Sequence, residues 1–234
     1  MFVIYAHRGA SEYYPENTLS SFAAGIDMGA DGIETDVQIS KDGVLMIYHD
    51  DSMKEKTGFD GSIADYTYEE LRAARVKNLK YGREDVLMTF EDFLKYFGWR
   101  DLTFAIELKV KGIAEKVIDM MRKYNVIDKS IITSFDYGAL VDSYNYDKSV
   151  RLGWLYVDHK PDTLEKLRNI EAYQACPKAE KIRKEHLDAL YGAGFGCRAW
   201  GIANTDIMKY AVEIGVEGGM TVNFPDKLVE YMKL

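Results

Sequence analysis

The feature that most constrains the fold is a regular alternation of short apolar runs and amphipathic segments along 234 residues. Each apolar run has the length of a strand, and each amphipathic segment has the spacing of a helix with one apolar face. Eight strand–helix pairs are the number expected for a (β/α)8 barrel, whose usual size is about 250 residues. We therefore predict an α/β chain with one TIM-barrel catalytic domain over residues 1–234. A doubly wound open sheet is the alternative.

The predicted elements have bounds that can be compared with a structure. The predicted strands are residues 2–6, 32–38, 103–109, 130–134, 151–156, 173–176, 197–202 and 219–222. The predicted helices are residues 18–28, 90–97, 113–124, 137–146, 164–169, 184–193, 206–214 and 226–233. In a barrel of this kind, reactive side chains collect where the strands end, at the carboxyl face.

One stretch, at about residues 39–88, interrupts the alternation. The sequence Ser40-Lys41-Asp42-Gly43 predicts a turn that folds the second strand back as a hairpin. Pairing about that turn brings His49 back beside Glu34. The polar, tyrosine-rich residues 51–86 that follow predict a small cap, inserted after the second strand, of the kind that sets substrate choice.

Composition excludes several classes of function. The chain has 30 basic and 38 acidic residues, so its formal charge of −8 argues against a general nucleic-acid binder or a binder of anionic membranes. No apolar run approaches the roughly 20 residues of a membrane span, so we expect no membrane insertion. Cys176 and Cys197 lack metal-ligand spacing and are predicted to be free thiols. With no leader visible before His7, we expect a cytoplasmic protein.

Carboxylates at the ends of two neighbouring strands predict a metal site. Glu34 and Asp36 are two residues apart on a strand, so both point to the same face. Glu107 and Lys109 repeat this spacing on the next barrel strand. Three carboxylates form a good oxygen shell for one divalent cation, Mg²⁺ or Ca²⁺. A solvated edge or an ordinary internal ion pair is the alternative interpretation.

Two histidines occupy similar places at strand ends. His7 precedes Arg8, and His49 precedes Asp50. A single histidine is usually structural, but two that converge can divide general acid and general base roles. Arg8 is suited to clamp phosphate oxygens. The sequence therefore predicts metal-assisted phosphoryl chemistry.

Three further residues are predicted to support this site. Asn17 is expected to cap the first helix, and Glu16 to pair with Arg8 or to lie in the outer shell of the site. Trp200 ends a strand and is expected to wall the pocket against an apolar part of the ligand, unless it is a core residue. The remaining histidines, His159 and His186, are predicted to be solvated.

Together these motifs resemble the glycerophosphodiester phosphodiesterases, which belong to the superfamily of phospholipase-C-like phosphodiesterases. The matching residues are His7-Arg8-Gly9, Pro15-Glu16-Asn17-Thr18, Glu34, Asp36-Val37, Lys41-Asp42-Gly43, His49-Asp50, Glu107-Leu108-Lys109 and Ser134-Phe135. Their order and spacing follow the family pattern over nearly the whole chain. The resemblance implies a TIM barrel with a small insertion after the second strand.

The resemblance also implies roles for the site residues. By the family pattern Glu34, Asp36 and Glu107 bind the metal, His7 and His49 are the acid–base pair, and Arg8 and Lys109 neutralise the phosphate. The implied substrate is a glycerophosphodiester, a small molecule hydrolysed to glycerol 3-phosphate and an alcohol. The resemblance does not decide which histidine is the acid. It also leaves open whether water or the glycerol 2-hydroxyl attacks.

The C-terminal part departs from the family pattern and leaves the leaving group open. Trp200-Gly201-Ile202-Ala203-Asn204 replaces a common Trp-Thr-Val-Asn, and residues 220–226 differ from the common Thr-Asp-Tyr-Pro ending. One alternative is a related phosphodiesterase acting on lysophospholipids, with the cap tyrosines Tyr66, Tyr68 and Tyr81 on the acyl chain. Another is a non-catalytic barrel that binds a phosphate ligand. A glycosidase would give Arg8 and Lys109 no role.

Overall fold

The computed structural model describes residues 2–233, which contain parallel strands in a nearly closed barrel with helices between them. The strands are β1 Ile4–His7, β2 Gly32–Ile39, β3 Leu45–Ile47, β4 Arg75–Asn78, β5 Arg83–Val86, β6 Met88–Thr89, β7 Thr103–Leu108, β8 Ser130–Ser134, β9 Arg151–Tyr156, β10 Gln174–Pro177, β11 Gly196–Cys197, β12 Ala199–Ile202 and β13 Met220–Val222. The α-helices are α1 Leu19–Asp27, α2 Lys54–Thr57, α3 Tyr68–Leu71, α4 Phe90–Phe97, α5 Ala114–Lys123, α6 Tyr137–Tyr146, α7 Thr163–Asn169, α8 Lys184–Gly192, α9 Thr205–Glu213 and α10 Pro225–Met232. Short 3₁₀ helices lie at Ile63–Asp65 and Ile127–Lys129.

The order of the barrel strands confirms the predicted TIM barrel. Hydrogen-bonded neighbours run β11, β10, β9, β8, β7, β2, β1, β13 and β12, all paired in parallel. A parallel bridge between Lys178 and Trp200 links β10 to β12 and so draws the two ends of this path together. The carboxyl ends of these strands therefore meet at one rim.

The predicted strand over residues 197–202 is interrupted at Arg198. Before this residue the chain pairs with β10, and after it the chain pairs with β13. The Arg198 side chain is buried, with its guanidinium carbon 5.2 Å from the centre of the Tyr5 ring. The neighbouring Cys176 and Cys197 are buried free thiols, as predicted.

The stretch between β2 and α4 contains the predicted hairpin. β3 pairs antiparallel with β2, with Val37 opposite Ile47 and Ile39 opposite Leu45. The turn is closed by a hydrogen bond from the Gly43 N–H to the Ser40 carbonyl. Residues 51–86, the cap segment, follow this hairpin. Its apolar side chains join residues at its edges in a small separate core of Met46, Tyr48, Met53, Ile63, Leu71, Ala74, Val76 and Leu87.

Helix α4 packs its apolar face into the main core. Phe90, Phe93, Leu94 and Phe97 recur at helical spacing and are buried. The Phe93 ring contacts several other rings, including that of Phe104 on β7, 5.5 Å away between centroids. This packing holds α4 against a strand that carries site residues.

Among residues 2–233, no helix is both long and apolar enough to cross a membrane.

We expect Phe93→Ala to lower the free energy of unfolding by about 3–5 kcal/mol, because it leaves a cavity among close-packed rings. Tyr96→Ala on the same helix is the control, since Tyr96 is 52% exposed. The measurement is urea unfolding of both variants and the parent protein. A loss for Phe93→Ala as small as that for Tyr96→Ala would contradict this account of the core.

Candidate active site

Three carboxylates lie together on the paired strands β2 and β7, with Glu34 and Asp36 inside β2 and Glu107 one residue before the end of β7. The two strands pair in parallel with Asp36 opposite Glu107, and Glu34 shares the face of Asp36. Oxygens of the three carboxylates lie within 4.8 Å of one another, and all three side chains are buried. The sequence predicted this grouping from the spacing on two strands.

The charges in this group compete. Burial, followed by the charges of Asp36 and Glu107, raises the pKa of Glu34 well above its usual range. Burial also raises the pKa of Glu107. Burial opposes ionisation of Asp36 as well, but the Arg8 guanidinium, His49 and Lys109 together hold its pKa below the ordinary value. The site therefore favours additional positive charge.

Two cations already contact the carboxylates. Nε of Arg8 lies 3.1 Å from Oδ2 of Asp36, and Nη1 lies 3.0 Å from Oε1 of Glu16. Nζ of Lys109 lies 2.9 Å from Oε1 of Glu107 and 4.0 Å from Oδ1 of Asp36. Burial would lower the pKa of Lys109, but Glu107 and Asp36 raise it. Both cations are thus held charged at the carboxylate cluster.

The backbone after β1 adopts an unusual conformation that aims Arg8. Arg8 has a φ of 55°, in the left-handed region that non-glycine residues rarely adopt. At Gly9, with φ 85°, an added Cβ would lie 2.3 Å from the backbone of Ser21. Only glycine fits where this loop crosses α1 so closely.

The predicted helix cap at Asn17 is wrong. Thr18 caps α1 instead, and its hydroxyl accepts from the Ser21 N–H. Asn17 is buried with a φ of 57°, and its Nδ2 donates to Oδ2 of Asp36 at 2.9 Å. Its Oδ1 accepts from the Thr35 hydroxyl at 3.0 Å. The amide is therefore used to bind a carboxylate on β2, which leaves the capping role to the next residue.

His7 lies beside Glu34 and is oriented by a residue that the sequence did not identify. Its Nδ1 is 2.5 Å from Oδ1 of Asn223, which follows β13, and its Nε2 is 3.8 Å from Oε2 of Glu34. Because an amide oxygen only accepts, Nδ1 carries the proton and Nε2 has a free lone pair. Burial, followed by the charge of Arg8, lowers the pKa of His7 to about 3.

His49 is returned to the site by the hairpin. The Tyr48 N–H bonds to the Asp36 carbonyl, and Gln38 Nε2 donates to the carbonyls of Tyr48 and Asp50. Nδ1 of His49 lies 2.7 Å from Oδ1 of Asp50. Its charge acts on the pKa of Asp36 and of His7, so it belongs to the same electrostatic group. Gln38 was not singled out from the sequence, because a buried glutamine has no motif of its own.

Aromatic side chains line other parts of this face. The Trp200 ring meets the exposed Phe135 ring edge-on at 4.8 Å, while its Nε1 donates to the Tyr156 carbonyl. The His159 and His186 rings stack at 4.6 Å rather than standing separately in solvent. Of the cap tyrosines, Tyr66 and Tyr68 pack on the small cap core, and Tyr81 is 45% exposed.

Comparisons with known proteins agree with this geometry. The family model "Glycerophosphoryl diester phosphodiesterase family" matches residues 7–227. The chain is 32% identical to a glycerophosphodiester phosphodiesterase of Bacillus altitudinis, over 97% of this chain and 96% of that one. It is 29% identical to the enzyme of the same name from Caldanaerobacter subterraneus subsp. tengcongensis, over 99% and 98%.

A similar solved structure is that of an Oleispira antarctica phosphodiesterase in complex with the product sn-glycerol-3-phosphate. The two structures superpose with a TM-score of 0.88 at 22% sequence identity. The alignment covers 99% of this chain and 97% of that chain. This likeness confirms the barrel fold.

We expect the His7 ring to stay neutral in the folded, metal-free protein over about pH 5 to 8, the range in which an ordinary histidine titrates. The unfolded chain binds this proton near pH 6.5, so stability falls as the pH is lowered from about 6.5 toward the native pKa. Ring ¹⁵N NMR measures the titration, with His7→Asn for assignment and the urea-unfolded protein as control. A folded His7 that titrates near pH 6.5 would contradict the effect of burial.

Proposed function

The chain belongs to the glycerophosphoryl diester phosphodiesterase family, and we propose that it hydrolyses glycerophosphodiesters to glycerol 3-phosphate and an alcohol by metal-dependent histidine acid–base catalysis. One observation carries the proposal. Two histidines with defined tautomers, three buried carboxylates and two fixed cations share one electrostatic group at the barrel rim. Metal, anion and proton-transfer groups in one place are the components that cleavage of a phosphodiester needs.

The carboxylates fit one hard divalent cation, Mg²⁺ or Ca²⁺. The donors are oxygens, and Oδ1 of Asp36 is buried with no hydrogen-bond partner among residues 2–233. The raised pKa of Glu34 and of Glu107 also indicates too little positive charge for three carboxylates. Glu34, Asp36 and Glu107 would hold the ion. When bound, such a cation polarises a phosphoryl oxygen and favours deprotonation of the attacking hydroxyl.

Arg8 and Lys109 are suited to bind the phosphate group of the substrate. Each is anchored on a carboxylate, so neither loses much side-chain freedom when the substrate enters. The planar guanidinium of Arg8 carries more donors than its contacts with Asp36 and Glu16 occupy. These two cations neutralise the charge that builds up on the phosphoryl oxygens in the transition state.

The surroundings of the two histidines favour different roles. Nδ1 of His7 donates to the uncharged Asn223 amide, which leaves the Nε2 lone pair to accept the proton of the attacking hydroxyl. His49 donates Nδ1–H to the Asp50 carboxylate, which orients the ring and leaves its Nε2 for contact with the substrate. His49 therefore donates a proton to the oxygen of the departing alcohol.

The attacking hydroxyl belongs to water or to C2 of the glycerol. Attack by water gives glycerol 3-phosphate and the alcohol directly. Attack by the 2-hydroxyl expels the alcohol and leaves a cyclic phosphate. Water then opens the ring, with the two histidines exchanging roles. A substrate without the 2-hydroxyl distinguishes the two routes, since only direct attack by water would cleave it.

We expect His7→Ala and His49→Ala each to lower turnover of glycerophosphocholine by about 10²–10⁴-fold, the usual effect of losing a general acid or base. The assay measures glycerol 3-phosphate in the presence of Mg²⁺ or Ca²⁺. His186→Ala is the matched control, because this ring stacks on His159 and on neither site histidine. Near-normal turnover in both site variants would remove the histidine pair from the mechanism. Binding of substrate without any turnover by the parent protein would favour a non-catalytic barrel.

We expect a divalent cation to raise the melting temperature of the metal-free protein. A ligand that binds the native state stabilises it by about 2.7 kcal/mol at a hundred times its dissociation constant. Glu107→Gln should weaken this shift, whereas Glu115→Gln, an exposed carboxylate on α5, should keep it. Calorimetry with Mg²⁺ and with Ca²⁺ measures the effect. Full activity after exhaustive chelation would contradict the metal dependence.

A further inference from the structure

Lys56, in the cap segment, lies between two carboxylates that serve different parts of the site. Its Nζ is 2.7 Å from Oε1 of Glu16 and 2.7 Å from Oδ2 of Asp50. The Lys56 side chain is 21% exposed, and the two carboxylate side chains are 17% and 30% exposed. The pairing is therefore shielded from solvent more than an ordinary surface ion pair and is less weakened by water and salt.

Each of these two carboxylates also contacts a residue to which we assign a role in the reaction. Asp50 binds Nδ1 of His49 at 2.7 Å, and Glu16 binds Nη1 of Arg8 at 3.0 Å. One ammonium thus connects the histidine that we assign as acid with the arginine that we assign to the phosphate. Glu16 is supplied by the loop after β1, and Asp50 by the hairpin, so Lys56 also ties the cap segment to the barrel.

The ammonium also compensates a second acidic cluster. Glu16, His49 and Asp50 have ligand-type atoms within 4.8 Å of one another, close enough for the two carboxylates to repel. Lys56 contacts both carboxylates and supplies the positive charge that this cluster needs. Without it, Glu16 and Asp50 would move apart, or each would redirect its free oxygen to the cation or imidazole it already binds.

We propose that Lys56 is a positioning residue, which sets the orientation of His49 through Asp50 and of Arg8 through Glu16. The proposal rests on the proposed function for its kinetic consequences. Loss of the Asp50 contact disturbs proton donation to the leaving oxygen, which lowers kcat. Loss of the Glu16 contact lets that carboxylate compete with the substrate phosphate for Arg8, which raises KM.

The test compares Lys56→Met, which keeps most of the length of the side chain but removes its charge, with Lys56→Arg. Lys54→Met is the matched control, because Lys54 is on the same helix α2 and pairs with Asp60 in a solvent-exposed position. Steady-state kinetics with glycerophosphocholine give kcat and KM separately. We expect Lys56→Met to lower kcat/KM by about 10–100-fold, as is usual for residues that orient site groups. We expect Lys56→Arg to restore most of this loss and Lys54→Met to resemble the parent protein.

Two results would overturn the proposal. One is kinetics of Lys56→Met that match those of Lys54→Met. The other is an equal loss in Lys56→Met and Lys56→Arg with a common fall in melting temperature, which indicates only general stabilisation of the cap. Rescue by arginine at unchanged melting temperature supports a positioning role.

A second readout separates this proposal from the proposed function. Ring ¹⁵N NMR of His49 in the metal-free protein reports the contact with Asp50 whether or not the substrate is correct. We expect Lys56→Met to move the His49 Nδ1 resonance and Lys54→Met to leave it in place. If the parent protein cleaves no glycerophosphodiester but this resonance moves as expected, the proposed function fails and the positioning role stands. An unmoved resonance overturns the positioning role.

Discussion

The constraint on which the site depends is the parallel pairing of β2 with β7, which aligns Asp36 with Glu107 and brings Glu34 to the same face. Three carboxylates in one buried place are electrostatically unfavourable, because charge is costly to desolvate and like charges repel strongly where water is excluded. The surrounding residues offset part of this free-energy cost. Arg8 and Lys109 contribute positive charge, and Asn17 contributes a hydrogen bond. In our proposal a divalent cation would supply the remainder, so the affinity for that cation and the cost of burying the carboxylates would have the same origin.

The need for positive charge beside the buried carboxylates also explains the strained backbone after β1. Arg8 reaches Asp36 from a left-handed conformation, which costs on the order of 1–3 kcal/mol. Its backbone is held by four bonds: its N–H donates to the carbonyl and to Oε2 of Glu34, and its carbonyl accepts from the Asn17 N–H and the Ser21 hydroxyl. The close-packed rings around α4 and β7 keep the adjoining strand in place. The favourable packing of the core thus offsets the cost of the strained backbone and buried charges at the site.

The sequence predicts well those features that follow from local periodicity. The apolar runs give the barrel strands, helical spacing gives helices such as α4 and α6, and the turn at residues 40–43 gives the hairpin. Prediction from the sequence fails where a contact joins residues that are distant in the chain and are brought together only by the closed barrel. Asn223 is 216 residues from His7, and the break at Arg198 arises from a change of pairing partner. Asparagine is a common N-cap residue, but the amide of Asn17 binds the buried carboxylate of Asp36 instead.

The two halves of the proposed acid–base chemistry have different structural origins. His7 is the last residue of β1 and its partner Asn223 follows the adjacent strand β13, so the residue that we propose as base is fixed by the barrel itself. His49 and Asp50 follow the hairpin, and the next contact, Lys56, belongs to a cap segment with its own small core. Sequence change in the cap can therefore alter the orientation of His49, the proposed acid, without disturbing His7 or the three carboxylates that we propose to bind the metal. Because the proposed acid would protonate the leaving alcohol, which is the part that differs among glycerophosphodiesters, the cap is where we expect adaptation to different leaving groups to act.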